Sequence, residues 1–322
     1  MGAEINPLVS VITPCYNGEK YLDRYFDSLE KQTYNHLQVI FVNDGSTDRT
    51  EKIALKRGEE LEHKGMCFCY LSQKNSGQAA ALNAGLKKVS GEYLTWLDSD
   101  DEMLPNCIES KVHFLQKNLE YDYCAGRAIG VKEDAPDIIV EEKIPDSDKD
   151  RLEVVHDLIQ GKGCFVCGAY MLRTTFLDHI ISEREIFTGP GGQNAQLLIP
   201  AAWYGELGII DEIVYRYYLR QDSHSHQALS DSKKAIQQLY YFQDIVIATL
   251  TKIGEEKLLL YIPEVERYYA RLRFGHALDT KEKSVVLKQM EEMEKLHCLT
   301  FHDRYLVFRY TNAFINIIRP VE

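Results

Sequence analysis

The chain has 322 residues, 45% of them hydrophobic and 27% charged, the balance of an ordinary soluble globular protein; neither disorder nor a fibrous repeat is indicated. That length corresponds to two domains, or to one large domain with an appendage. A net charge of −12 excludes a predominantly basic surface and with it a nucleic-acid partner, so an anionic ligand has to be held locally.

In chain order, Leu8 to Thr13 reads as a buried strand. After it, Leu22, Tyr25, Phe26 and Leu29 fall at i, i+3, i+4 and i+7, one face of a helix. Leu37 to Val42 is a second apolar run, followed by the turn Asp44-Gly45-Ser46-Thr47 and a charged helix from about Thr47 to Glu62. Met66 to Leu71 and Tyr93 to Leu97 are the third and fourth strands, separated by a helical pattern from Gln78 to Val89. Repeated βα order predicts a parallel sheet covered by helices. Beyond Asp101 the alternation weakens: a helix from about Asn106 to Asn118, a strand around Tyr121 to Arg127, an acidic stretch from Glu133 to Asp150, and a strand pattern from Ile209 to Leu219. From Ser230 onward the pattern is helical. The expected division is a catalytic domain over 1–228 and a helical region over 229–322.

The eight cysteines lie mostly in apolar runs and read as reduced thiols. Cys164 and Cys167 have zinc-ligand spacing, but no second such pair follows, and a buried thiol is the stronger reading. The N-terminus lacks the basic start and apolar core of a signal peptide, and the uncharged run from Ile186 to Gly205 is broken by "TGPGGQN". The expected location is the cytoplasm, or the inner face of its membrane.

Ligands of such sheets bind at the carboxyl ends of the strands. That rule gathers Thr13 to Asn17, Asn43 to Ser46, Gln73 to Gly77 and Asp98 to Asp101 on one edge. Asp98 and Asp100 flank Ser99 as DxD. Carboxylates this close repel one another, and hard oxygen ligands suit Mg²⁺ or Mn²⁺, which typically also bind substrate phosphates. The plainer reading is a capped turn before a helix. Certain phosphatases also use DxD after an apolar strand, but on the first strand and usually with threonine two positions on; here Glu102 stands there.

The stretches "VSVITPCYNGEKYLDRYFDSLEKQTYNHLQVIFVNDGSTDRT" and "NSGQAAALNAGLKKVSGEYLTWLDSDD", from about Leu8 to Pro105, resemble the N-terminal half of inverting, metal-dependent family 2 glycosyltransferases with a GT-A fold. The resemblance implies a mixed sheet flanked by helices and transfer of a sugar from a nucleotide donor, with a UDP-sugar expected. It implies that Pro14, Tyr16 and Asn17 line the nucleotide pocket and that Asp44 meets the uracil, a helix cap being the structural alternative. Gly77 and Asn83 would pass beside the nucleotide, and Asp98, Ser99 and Asp100 would meet ribose and metal-bound diphosphate. Many members carry an arginine where this chain has Leu82, which leaves Lys74 or Arg127 to supply positive charge. In related GT-A enzymes a histidine from this end of the catalytic domain can complete the metal site, which points to His224 or His226 of "RQDSHSH"; the plainer and stronger reading is two histidines in a polar surface loop.

The family often places a Glu-Asp pair at the start of an acceptor-side helix, where a carboxylate serves as base. Here Gln193 and Asn194 stand in that place, and an amide takes up no proton at neutral pH. A catalytically silent sugar-nucleotide-binding protein is therefore a second reading. The expected acceptor is a cell-surface glycan or its lipid-linked precursor. For the C-terminal region, an ordinary helical face is the leading reading; its aromatics and arginines would also suit peripheral membrane association or a homodimer.

Overall fold

The computed structural model describes residues 6–145, 149–220 and 231–308. The chain forms two compact units, one ending at Arg220 and the other beginning at Gln221. The boundary expected near residue 228 lies outside the described residues.

In the first unit, β1 (Val9–Cys15) and β2 (Leu37–Asn43) are buried at every position, because helices cover both faces of the sheet. Helix α1 (Leu22–Glu30) buries Leu22, Tyr25, Phe26 and Leu29, the face its spacing predicts. Then follow α2 (Thr50–His63), β3 (Cys67–Ser72), α3 (Gln78–Leu86), β4 (Tyr93–Trp96) and the two-residue β5 (Glu102–Met103). Helix α4 (Cys107–Lys117) leads to β6 (Tyr123–Lys132) and β7 (Ala135–Lys143). After α5 (Arg151–Ile159) come β8 (Tyr170–Arg173), α6 (Thr174–Ile180), α7 (Gln193–Tyr204) and β9 (Leu207–Leu219).

The nine strands form one sheet in the order β3-β2-β1-β4-β8-β6-β9-β5, with β7 paired to β6 off that path. The β3-β2-β1-β4 half is parallel, as the βα repeats predict. Strand β8 then runs antiparallel to both β4 and β6, so the sheet is mixed. The long β9 runs parallel to β6 and antiparallel to β5, which returns its end to the edge where β4 stops. Strand β7 occupies the segment read from sequence only as an acidic stretch.

The second unit is helical among the described residues: α8 (Ser232–Ile253), α9 (Glu256–Leu259), α10 (Ile262–Asp279), α11 (Lys283–Lys295) and a further helix over 301–308. Its core joins Ile236, Ala270, Phe274, Ala277, Val286, Met293 and Val307. Arg273 is wholly buried there and is neutralised by Glu292 at 2.7 Å, with its guanidinium 3.9 Å from the Tyr240 ring centroid. No described helix is long and apolar enough to cross a membrane.

Asn83 on α3 is 6% exposed, and its amide both donates to the Ile186 carbonyl and accepts from the Ile186 N–H, each at 2.8 Å. This double bond fastens the segment that leads into α7 onto α3. Asn83→Ala leaves both backbone groups unpaired and should lower stability by about 3 kcal/mol. Asn83→Asp should not restore it, because a carboxylate cannot donate to the Ile186 oxygen. A urea midpoint unchanged in Asn83→Ala would contradict this.

Candidate active site

Three of the polar turns at the carboxyl edge are tied to one another. After β1, Asn17 adopts a left-handed φ of 50°; its N–H donates to Ser46 Oγ at 2.9 Å and its side-chain oxygen accepts from Thr47 N at 2.8 Å. Its amide oxygen therefore closes the first turn on the second. Pro14 is buried beneath the turn, whereas Tyr16 is 54% exposed and presents its ring to solvent. After β2, the buried Asp44 accepts from Gln73 Nε2 at 2.7 Å, Ser76 N at 2.9 Å and Gly77 N at 2.8 Å. Asp44 does not cap α2, whose N-cap is Arg49; Asp48 accepts from Thr50 N at 2.9 Å. Gly45 (φ 74°) is required where it stands, since a Cβ would lie 2.5 Å from Asn75 N. Gly77 (φ 90°) opens α3 on the third turn.

The fourth turn gathers the carboxylates. Asp98, Asp100 and Asp101 each offer an oxygen within 4.8 Å of the others. Each has found different partners. Asp98 accepts from Gln78 Nε2 at 2.7 Å and from the Cys167 thiol at 3.4 Å. Asp101 is buried and turned toward β9, accepting from Tyr215 Oη and Tyr218 N, both at 3.1 Å. Asp100 pairs with Arg220, and its carbonyl oxygen accepts from Arg24. Burial, followed by repulsion from Asp100, holds the Asp98 and Asp101 carboxyls above the usual range. Crowded hard-oxygen donors of this kind fit a divalent cation, and Asp98 and Asp100 are the pair left part-exposed to hold it.

Cys167 owes its place to a buried lysine. Lys111 on α4 is wholly buried and donates to Gly168 O at 2.8 Å, with Thr95 Oγ1 and Tyr170 O at 3.4 Å. The thiol set beside it is thus a donor to Asp98. All eight cysteines are free, in keeping with the reduced-thiol reading.

On the other flank, α7 begins at Gly192 in the left-handed region, with no acidic residue in its first turn. Asn194 accepts from Trp96 Nε1 at 2.8 Å and donates to Phe165 O at 2.9 Å. Trp96 lies two residues before Asp98, so this link carries the start of α7 to the carboxylates. Gln193 is 8% exposed and has no hydrogen-bond partner among the described residues.

Several expected placements change. Asn83 is engaged by Ile186 rather than facing a ligand. Arg127 on β6 pairs with Glu142 of β7 and Asp211 of β9. Lys74 is exposed on the third turn. His224 and His226 lie outside the described residues. Arg24, Tyr218 and Arg220 are brought to the acidic run without having been singled out in the sequence, and Cys167, read there as a buried thiol, is brought to Asp98. The available signal was "YRYYLR" at 215–220, basic and phenolic residues that match the acidic run at 100–102 once β9 and β5 pair antiparallel.

A parallel half-sheet joined through β8 to a returning β6–β9 pair, with carboxylates at the end of β4, defines the GT-A class of fold. The family model described as Glycosyl transferase family 2 matches residues 10–176, and the chain belongs to that family. Among its relatives, an uncharacterized glycosyltransferase of Rickettsia prowazekii is 29% identical over 265 residues, 79% of this chain and 75% of that protein. One from Rickettsia typhi is 42% identical over 130 residues, 39% of each. The Staphylococcus aureus TarS structure with UDP-GlcNAc aligns at TM-score 0.59 and 16% identity, covering 95% of this chain and 92% of that one. The mannosyltransferase PcManGT of Pyrobaculum calidifontis, with GDP-Man and Mn²⁺, aligns at 0.54 and 16%, covering 97% and 81%. At these identities the structural likeness is one of fold.

Asp44→Asn replaces one of the two oxygens that hold the third turn with an amide nitrogen, which cannot accept. Hydrogen exchange at the Ser76 and Gly77 amides should then accelerate by about tenfold or more, the weight of one hydrogen bond to a charged group. Unaltered protection at both amides would show that the turn is held by other means.

Proposed function

We propose that the protein transfers a sugar, with inversion, from a nucleotide-sugar donor to a glycan or lipid-linked acceptor, with a UDP-sugar as donor and a divalent cation as cofactor. The observation that carries this reading is the carboxylate cluster at the end of β4, on the edge shared by the turns after β1, β2 and β3. The TarS and PcManGT structures, with UDP-GlcNAc in one and GDP-Man with Mn²⁺ in the other, support the donor class and the ion through a shared fold.

Asp98 and Asp100 would hold Mn²⁺ or Mg²⁺, which supplies charge neutralisation for a departing diphosphate. The exposed Tyr16 ring offers a face for the base, over the rigid turn at Pro14. Asp44 already accepts three hydrogen bonds, so a uracil N–H would take its remaining lone-pair site. Gly77 keeps the third turn open to close approach, and Lys74 adds positive charge beside it. Gln193 and Asn194 face the acceptor side; Gln193 retains an unpaired amide for an acceptor hydroxyl.

Inverting transfer requires the acceptor oxygen to lose its proton. Asp211 and Glu185 are engaged in exposed ion pairs with Arg127 and Lys87. The route we favour is therefore an acceptor already ionised, such as a lipid phosphate. Its competitor is a carboxylate base at Asp222, outside the described residues. A carboxylate base leaves an acid limb in the pH–rate profile that Asp222→Asn removes; an ionised acceptor leaves the profile unaltered by that substitution.

The donor reading is tested by calorimetry. UDP should bind about tenfold tighter, or more, with Mn²⁺ than with a chelator, and Asp100→Asn should abolish the difference. Equal affinity under both conditions would refute the metal role, and a preference for GDP over UDP would move the donor class. Release of UDP from a UDP-sugar in the presence of acceptor separates an enzyme from a silent binding protein, which shows affinity without turnover.

A further inference from the structure

A cleft of about 440 Å³ opens where β6 and β9 begin, at the opposite end of the sheet from the polar turns. Strand β9 meets the acidic run only near its far end, where Tyr215 and Tyr218 contact Asp101, so roughly 30 Å of strand separate the cleft from the carboxylates. The cleft is a separate place on the first unit.

Part of its wall is aromatic. The rings of Phe114 and Tyr121 stack with centroids 5.5 Å apart, and both lie over Gly208, where a Cβ would come within 2.2 Å of Phe114 and 3.0 Å of Tyr121. A side chain at 208 would displace them. Tyr123 is 3% exposed and its ring stacks on Phe176 at 6.0 Å, yet its hydroxyl has no hydrogen-bond partner among the described residues. A buried phenol usually finds one. Tyr123 lines the cleft, and the charges that act on its hydroxyl are those of Arg151, Glu206 and Asp122, of which Arg151 and Glu206 also line it. The unused hydroxyl therefore faces the cavity.

The charges around the cleft are balanced, since Arg151 pairs with Glu206 and Lys149 with Asp157 at 2.6 Å, so the wall favours a neutral ligand over an anion. It offers donors and acceptors side by side. The Arg151 guanidinium and the Tyr123 hydroxyl donate; Glu206 accepts, as does the Asn118 side-chain oxygen, whose amide nitrogen is engaged by the Phe114 carbonyl. A sugar ring carries the matching set, with C–H faces for aromatic rings and hydroxyls that both donate and accept. We propose that this cleft is a second, non-catalytic saccharide site, which holds one or two rings of a neutral glycan against Tyr121 and Phe114 with a glycan hydroxyl bonded to Tyr123. It requires neither metal nor nucleotide and stands apart from the donor reading. On the transfer reading above, a glycan long enough to reach the carboxylates from this cleft stays attached to the protein between transfers.

The test is a titration of the metal-free protein with maltotriose, cellotriose and tri-N-acetylchitotriose, followed by ligand-observed NMR in the absence of nucleotide. At least one should bind with a Kd of about 10 mM or tighter. Tyr123→Phe should weaken that binding by about threefold to tenfold, the loss of one hydrogen bond, and should leave the unfolding temperature within about two degrees of wild type, because the hydroxyl has no partner among the described residues. Tyr121→Ala, which removes half of the stacked pair, should weaken it by about tenfold. No binding of any of the three saccharides overturns the proposal, and so does an affinity unchanged in both variants, which places the saccharide elsewhere. Displacement by UDP with Mn²⁺ overturns it in favour of the carboxylate edge, and displacement by inorganic phosphate overturns it in favour of an anion site. Saccharide binding by wild-type protein that fails to bind UDP, weakened in Tyr123→Phe, sustains the proposal while refuting the donor reading.

Discussion

The repulsion among Asp98, Asp100 and Asp101 is the constraint around which the first unit is organised. Three carboxylates within 4.8 Å of one another at the end of a buried strand cost free energy unless each finds its own donor or cation. The fold supplies them from separate places: Gln78 at the start of α3 and the Cys167 thiol for Asp98, the end of β9 for Asp100, and Tyr215 with the Tyr218 amide for Asp101. Strand β9 reads the acidic run residue by residue, since Arg216 and Tyr218 also reach Glu102, at 3.1 and 2.8 Å. Those contacts decide where β9 ends, and its parallel pairing to β6 fixes the far half of the sheet. The Asp101 contacts are directed into the structure, whereas Asp98 and Asp100 keep part of their surface open.

This division of labour explains what the sequence could and could not reveal. The four parallel strands and their helices were legible because buried strands are continuous apolar runs and the covering helices carry a 3.6-residue period. Strand β7 was hidden: it is exposed along most of its length, with charges at Asp137, Glu141, Glu142 and Lys143 among isoleucines, so its composition resembles a loop. Strand β5 has two residues and no pattern of its own; it exists because β9 pairs with it. The carboxylate turn was legible as a cluster, but its cations lie more than a hundred positions away on β9 and seventy-six away on α1, a separation no local spacing reports.

The polar residues of the other turns show a second limit. A side chain that holds a ligand and one that holds a neighbouring loop have the same chemistry and lie on the same edge. Asn17 and Asp44 are both hydrogen-bonded to adjoining turns, which makes the rim of the edge a single braced surface. Asn83 goes further, because both ends of its amide are satisfied by Ile186 in the interior. Polar identity alone does not separate a residue that binds a ligand from one that binds a neighbouring loop.

The same reasoning bears on the amide pair at the start of α7. Asn194 must accept from the Trp96 indole and donate to the Phe165 carbonyl, and among small side chains an amide does both. An aspartate there would accept from the indole yet confront the carbonyl with a second oxygen, in a part-buried setting where such an approach is costly. The amide is thus demanded by its neighbours, whatever chemistry takes place beside it. Gln193, one residue earlier, is under no such demand from a described neighbour, and its buried stem with an unpaired amide leaves hydrogen-bonding capacity for something outside the chain. The first turn of α7 therefore carries a fixed neutral link at Asn194 and, at Gln193, a neutral side chain without a hydrogen-bond partner among the described residues.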